Sequence, residues 1–242
     1  MSGHSKWATI KRQKGTNDEK RGAVFTKLSK AITIAVKQGG GIPDPNQNFK
    51  LRLAIDSARN ANMPKDNIQR AIEHAAGKQA DTLEEVVYEG FGPGGISIIV
   101  EAMTDNKNRT TSEIQNIFNK NGGNMAQMGA VAYQFQQLGR IIVAREGKSV
   151  DDIFLEAADA GALDVEEADN EVFIYTKPSD LAKVRKSLLD KSFTVKETEL
   201  IRKPLTPTEI ANEEIIQKVI AFLDKLEEYD DVQKVYSNFE IQ

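Results

Sequence analysis

The sequence predicts an α+β protein of three domains: an N-terminal three-helix domain carrying a basic arm, then two α/β sandwich-like domains, the third inserted into the second. Three observations predict it. Apolar residues recur at helical spacing up to about residue 77, and the period changes to that of strands after Asp81. Residues 140 to 202 then run strand, helix, strand, strand, helix, strand, a βαββαβ order that closes as a ferredoxin-like sheet with two helices on one face.

The first 20 or so residues have little apolar periodicity and read as an arm that orders against a surface or a partner. From Ala23, the residues Val24, Phe25, Leu28, Ala31, Ile32, Ala35 and Val36 form one stripe, an amphipathic helix of about four turns. It ends at Gly39-Gly40-Gly41-Ile42-Pro43. A second helix carries Phe49, Leu53, Ala54, Ala58 and Ala61; a third opens at Pro64 and buries Ile68, Ala71, Ile72 and Ala75. Strands at 86–90 and 95–101 flank Gly92-Pro93-Gly94-Gly95. That run lacks the Gly-Lys-Ser/Thr of a phosphate loop, so it reads as a hairpin-like turn.

A helix is expected from Thr110-Thr111-Ser112-Glu113, at capping-box spacing, and a strand over Gly129–Phe135. The βαββαβ unit leaves two elements without neighbours: a helix expected to open at Thr206-Pro207-Thr208-Glu209, and a strand Val232–Tyr236. Both are placed back against the segment before the unit. The resulting boundaries are 1–78 for the arm and helical domain, 79–136 with 205–242 for a discontinuous α/β domain, and 137–204 for the insert.

Charge is split along the chain. Residues 1–78 hold 15 Lys/Arg against 6 Asp/Glu, a net +9, although the whole is −4; the remainder carries −13. A basic end on an acidic body is the layout of a protein that meets a polyanion with one domain. The chain has no cysteine, which excludes disulfides, thiolate metal sites and Cys nucleophiles. Its two histidines, His4 and His74, lack a third partner for a zinc or triad site. No signal-peptide pattern and no run of about 18 apolar residues is present, so a cytoplasmic protein without membrane contact is expected.

Several strings in a fixed order carry a resemblance. They are Gly3-His4-Ser5-Lys6-Trp7, Lys20-Arg21-Gly22, Phe25-Thr26-Lys27, the triple glycine at 39–41, Asn62-Met63-Pro64, Tyr88-Glu89-Gly90-Phe91-Gly92-Pro93-Gly94-Gly95, Asp105-Asn106-Lys107-Asn108-Arg109-Thr110, Gly129-Ala130-Val131-Ala132-Tyr133, and Asp230-Asp231-Val232-Gln233-Lys234-Val235-Tyr236. Together they resemble the YebC family over essentially the whole chain. The resemblance implies a cytoplasmic three-domain protein without enzymatic activity, described for most members as a DNA-binding transcriptional regulator. For other members, including a mitochondrial translational activator of cytochrome oxidase subunit I, it implies action on translation, and for bacterial ones ribosome-bound relief of stalling at proline-rich stretches.

The residues leave the choice of polyanion open. Lys6, Lys11, Arg12, Lys14, Lys20, Arg21, Lys27 and Lys30 are the expected backbone contacts of a nucleic acid, DNA or ribosomal RNA. Trp7 either stacks on an unpaired base or docks on its own helical domain. The third helix offers Asn67, Gln69 and Arg70 to base edges, or simply to solvent. Gly39, Gly40 and Gly41 let backbone approach a ligand, although helix termination already explains them. An enzyme would draw on Glu101, Asp105, Lys107 and Arg109 near a helix start, where an anion or magnesium could sit; a turn with a surface basic pair is the plainer reading. Asp151, Asp152, Glu166, Glu167, Asp230 and Asp231 read as a solvated acidic face, or as a contact for a basic protein. No cofactor, metal or small-molecule substrate is expected.

Overall fold

The structure, a computed structural model, describes residues 18–75, 82–168 and 170–242. It separates into two compact units, Gln136–Lys203 and the rest of the described chain. The latter unit holds three N-terminal helices together with a split, mainly antiparallel sheet.

Helix α1 spans Asp18–Gln38, five residues longer at its start than the apolar stripe. It packs with α2 (Phe49–Asn60) and α3 (Lys65–Ala75) around Ile32, Val36, Leu51, Ile55, Ala58, Met63 and Ile68. In α2 the buried positions are Leu51, Leu53, Ile55 and Ala58, so the stripe lies nearer Leu51 and Ile55 than the sequence spacing indicated. Pro64 stands just before α3, and its carbonyl accepts the amides of Asn67 and Ile68.

The α1 terminus is a Schellman turn. The Gly41 amide reaches back to the Val36 carbonyl and the Gly40 amide to Lys37, with Gly40 at φ +74°. Asn48 fixes the segment that follows. Buried, it caps α2 by accepting the Leu51 amide at 3.0 Å, and its Nδ2 donates to the Ala35 and Ile42 carbonyls.

The strands of the split sheet lie in the order 124–126, 84–91, 97–104 and 232–237. Strands β1 (Glu84–Phe91) and β2 (Ser97–Thr104) form a hairpin in register from Glu84 opposite Thr104 to Phe91 opposite Ser97. The turn between them is forced at Gly94. Its φ is +74°, and a Cβ there would lie 2.6 Å from Ile210 Cδ1.

Helix α4 spans Lys107–Lys120, capped by Asn106, whose side chain accepts the Arg109 amide. It therefore opens three residues before the expected Thr110. The short strand β3 (Asn124–Ala126) then pairs with β1, and was not expected. Residues 129–134 are turns ending in a short 3-10 segment rather than a strand, and β4 (Phe135–Ala144) leads into the insert.

The chain returns at β8 (Thr208–Ile210), α7 (Glu213–Glu228), β9 (Val232–Ser237) and β10 (Phe239–Ile241). Helix α7 opens at its Asn212 cap rather than at Thr206, because 208–210 pairs in parallel with β10. Helices α4 and α7 cover one sheet face, where Phe118 and Phe222 meet edge to face at 5.1 Å.

The insert has the strand order β5-β6-β4-β7, with β5 (Asp164–Ala168), β6 (Glu171–Thr176) and β7 (Val195–Pro204), the ferredoxin-like arrangement. Helices α5 (Val150–Ala160) and α6 (Leu181–Asp190) bury Ile153, Ala157, Val184 and Leu188. On the other side of the strands lie Leu138, Ile142, Phe173 and Tyr175. Long charged side chains lie over them: Arg140, ion-paired with Glu199, sits 5.3 Å from the Phe173 ring centre, and Lys203 Nζ sits 3.9 Å from that of Tyr175. Glu166 accepts from both Lys203 and the Tyr175 hydroxyl at 2.7 Å, so it belongs to this network rather than to a merely solvated face.

Candidate nucleic-acid interface

Of the nine residues expected to meet nucleic acid, Lys6, Trp7, Lys11, Arg12 and Lys14 lie outside the described residues, as do the side chains of Lys20 and Arg21. The two that are described are built into the molecule. Lys27 Nζ donates to the carbonyl of Glu227, in the last turn of α7, where unpaired carbonyls and the helix dipole favour a cation. One turn further along α1, Lys30 Nζ lies 2.5 Å from Asp231 and 3.3 Å from the Asp230 carbonyl. Both residues thus tie α1 to the acidic part of the chain in this structure.

Asp231 is the centre of that anchor. Its side chain is only 5% exposed, and four side chains converge on it. Lys30 comes from α1, Thr110 Oγ1 donates from α4 at 2.6 Å, Arg109 NH2 approaches to 3.0 Å, and the Tyr229 hydroxyl lies at 3.3 Å. Thr104 Oγ1 stands 2.8 Å behind Thr110. Burial alone would raise the Asp231 pKa; the bonds from Lys30, Thr110 and Arg109 outweigh it and hold the carboxyl well below the usual range. Thr110, expected to cap a helix, is instead a fully buried ligand of this carboxylate.

Beside the anchor runs a cleft of about 750 Å³, lined among others by Thr26 and Thr33 of α1, His74 of α3, Arg109 and Asp230. Arg109 is neutralised by Asp105 at 2.8 Å as well as by Asp231. Among the described residues, no three His, Asp or Glu side chains gather where a metal could be held.

The glycine loop has open space outside Gly40 and Gly41, but Gly39 is pressed against Asn48, whose Nδ2 would lie 2.0 Å from an added Cβ. Termination of α1 and close packing on Asn48 account for all three glycines. On α3, Arg70 NH2 donates to Asn67 Oδ1 at 2.6 Å and Gln69 Nε2 to Glu73 at 2.9 Å, so the polar row is bonded within itself.

A second anchored feature was not recognised from sequence. Glu89 is 3% exposed in the middle of β1, and its carboxylate accepts the amides of Gly129, Val131 and Ala132 at 2.7–2.8 Å. It thereby folds the segment after β3 back over the sheet face opposite α4 and α7, where Val131 and Phe135 pack on Ile99. The signal was present in the strand alternation: Val87, Glu89 and Phe91 share one face, and a carboxylate at such a position needs donors.

Known proteins are consistent with this architecture. The model of the TACO1/YebC protein N-terminal domain matches residues 5–78, and that of the TACO1/YebC second and third domain matches residues 83–239. A probable transcriptional regulatory protein of Persephonella marina is 47% identical, and one of Chloroflexus aurantiacus 48%, each match covering all of this chain and 96% of the relative. One of Desulfitobacterium hafniense is 43% identical over 99% of this chain and 96% of its own. The crystal structure of a conserved hypothetical protein from Aquifex aeolicus superposes with a TM-score of 0.84 at 42% identity, covering 93% of this chain and 92% of that one. With both family models matched in order across nearly its whole length, the chain belongs to the TACO1/YebC family.

Proposed function

We propose that this protein is a non-enzymatic, cytoplasmic regulator of gene expression that binds DNA through its basic N-terminal segment. The observation that carries the reading is the charge split, +9 in residues 1–78 against −13 in the remainder. The regulatory names of its relatives agree with it. With Lys27 and Lys30 committed to the anchor, the phosphate contacts fall to Lys6, Lys11, Arg12, Lys14, Lys20 and Arg21. Six such contacts give a slope of log affinity against log salt of roughly −5 on duplex DNA. Reversing Lys11, Arg12 and Lys14 to Glu leaves the fold intact and removes binding. Salt-insensitive binding to DNA or RNA, or unaltered binding by the triple variant, refutes the proposal.

One observation favours a second reading, a ribosome-associated translation factor that binds ribosomal RNA and relieves stalling at proline-rich sequences. The polar row of α3 is bonded within itself, which suits recognition of a backbone better than reading of base edges. Sedimentation of lysate on sucrose gradients at low and high salt separates the two. Salt-sensitive comigration with ribosomes that survives DNase supports the ribosome; migration with DNase-sensitive material supports DNA.

A further inference from the structure

Residues 121–135 contain no charged side chain, where a chain 28% charged would place about four. The segment is nevertheless at the surface: Asn124 and Gln127 are exposed, Met128 is 84% exposed and Tyr133 72%. It is also held in one shape. Two tight turns follow each other, closed by the Ala130 amide on the Gln127 carbonyl and the Gln134 amide on the Val131 carbonyl, and the Glu89 carboxylate binds amides of both. Met128 sits at the corner of the first turn and Tyr133 at the corner of the second. Gly129 supplies the φ of +90° that the first requires.

Tyr133 is fixed by a further set of bonds. Its hydroxyl accepts from Gln134 Nε2 at 3.3 Å, while Gln134 Oε1 accepts from Ser97 Oγ at 2.9 Å and from Asn238 Nδ2 at 3.4 Å. An aromatic ring held this way and left exposed loses little entropy when something flat is laid on it.

We propose that Tyr133 is a stacking platform for an unpaired nucleobase, with Met128 and the neighbouring amides of Asn124 and Gln127 as its rim; this rests on the nucleic-acid reading above. The lack of cations means the loop does not hold phosphate. The lack of carboxylates makes it a place on an acidic body that a strand already held by its backbone can approach. Aromatic faces stack on any base, and amide side chains match the donors and acceptors of base edges. The uncharged loop with exposed Met128 and Tyr133, and with the exposed Leu205 bonded through its amide to the Gln134 carbonyl, would also suit a protein contact, and the test separates the two.

The test uses the full-length protein and fluorescein-labelled 12-nucleotide single strands of DNA and of RNA, with a duplex of the same sequence as control. Tyr133→Ala is expected to weaken single-strand binding about tenfold, with an unchanged salt slope and unchanged duplex binding, while Tyr133→Phe and Tyr133→Trp, which keep a ring but lose the hydroxyl bonded to Gln134, lose less. The single strand that shows the larger loss identifies the source of the base. Equal single-strand affinity of wild type and Tyr133→Ala overturns the platform alone. Absence of any binding by wild type overturns the nucleic-acid reading and the platform with it. If Tyr133→Ala keeps nucleic-acid affinity but loses a protein retained by wild type from nuclease-treated lysate, the loop is a protein contact and the platform is again overturned.

Discussion

Replacing Asp231 with Asn tests whether the anchor between α1 and the acidic body is electrostatic. The amide keeps one acceptor oxygen but turns an NH2 group toward donors that approach to 2.5, 2.6 and 3.0 Å. A hydrogen bond to a charged group contributes ~1.5–3 kcal/mol. Arg109 is half exposed and keeps Asp105, so its share is small. The cost falls on Lys30, 22% exposed, and on buried Thr110. The expected loss is about 2–3 kcal/mol, or roughly 5–10 °C in Tm for a unit of this size.

The pH dependence supplies a second reading of the same variant. Because the folded carboxyl titrates below its unfolded value of 3.8, its contribution is present above about pH 4 and is lost as pH falls toward the folded value. Urea unfolding of wild type and Asp231→Asn, at pH 7, 5, 4 and 3, should therefore show a gap that is full at pH 7 and 5 and closing by pH 3. A gap under about 0.5 kcal/mol at pH 7, or one as large at pH 3 as at pH 7, refutes the electrostatic account.

Two further outcomes follow from the local geometry. Gly40→Ala places a side chain at φ +74° in open space and should cost about 1 kcal/mol, whereas Gly39→Ala, driven into the Asn48 side chain, should cost more; thermal melts that rank them in reverse contradict the assignment of the turn. Glu89→Ala leaves three amides without their acceptor and should speed hydrogen exchange at Gly129, Val131 and Ala132 about 100-fold, the equivalent of roughly 3 kcal/mol. Unchanged exchange at those amides would show that the loop holds its shape without the carboxylate.

Much of this fold was legible because it is local. The stripes of α1 and α3, the Gly92–Gly95 hairpin and the βαββαβ order of the insert are all written within windows of a few residues to a few tens. The departures share one cause, which is distance along the chain. Thr110 looks like a cap when read beside Glu113, but its hydroxyl is drawn to a carboxylate 121 positions away. Asp231 looks solvated when read beside Asp230, yet its cation lies 201 positions earlier. The strand expected at 129–135 becomes turns because Glu89, 40 to 43 positions upstream, takes amides that a sheet ladder would have used. Thr206–Glu209 has helix-start chemistry, but residues 208–210 pair with β10, and Asn212 caps the helix instead.

The anchor also bears on why a protein with an acidic body can carry a basic recognition end. Opposite charges at two ends of a chain attract, and an arm neutralised by its own body would have no affinity left for phosphate. In this fold the attraction is satisfied by particular partners. Lys27 takes the Glu227 carbonyl in the last turn of α7, Lys30 takes Asp231, and the packing of α1 fixes both. Asp231, the most strongly bound carboxylate at the mount, is thereby neutralised by residues whose positions are set by the helix. On the proposed reading it is the cations earlier in the sequence that meet the polyanion, while the remaining negative charge of the body discourages phosphate from lying across it. It follows that Lys30→Glu should impair binding through the mount rather than through a lost phosphate contact: its salt slope should stay near that of wild type, whereas reversal within residues 11–14 should flatten the slope.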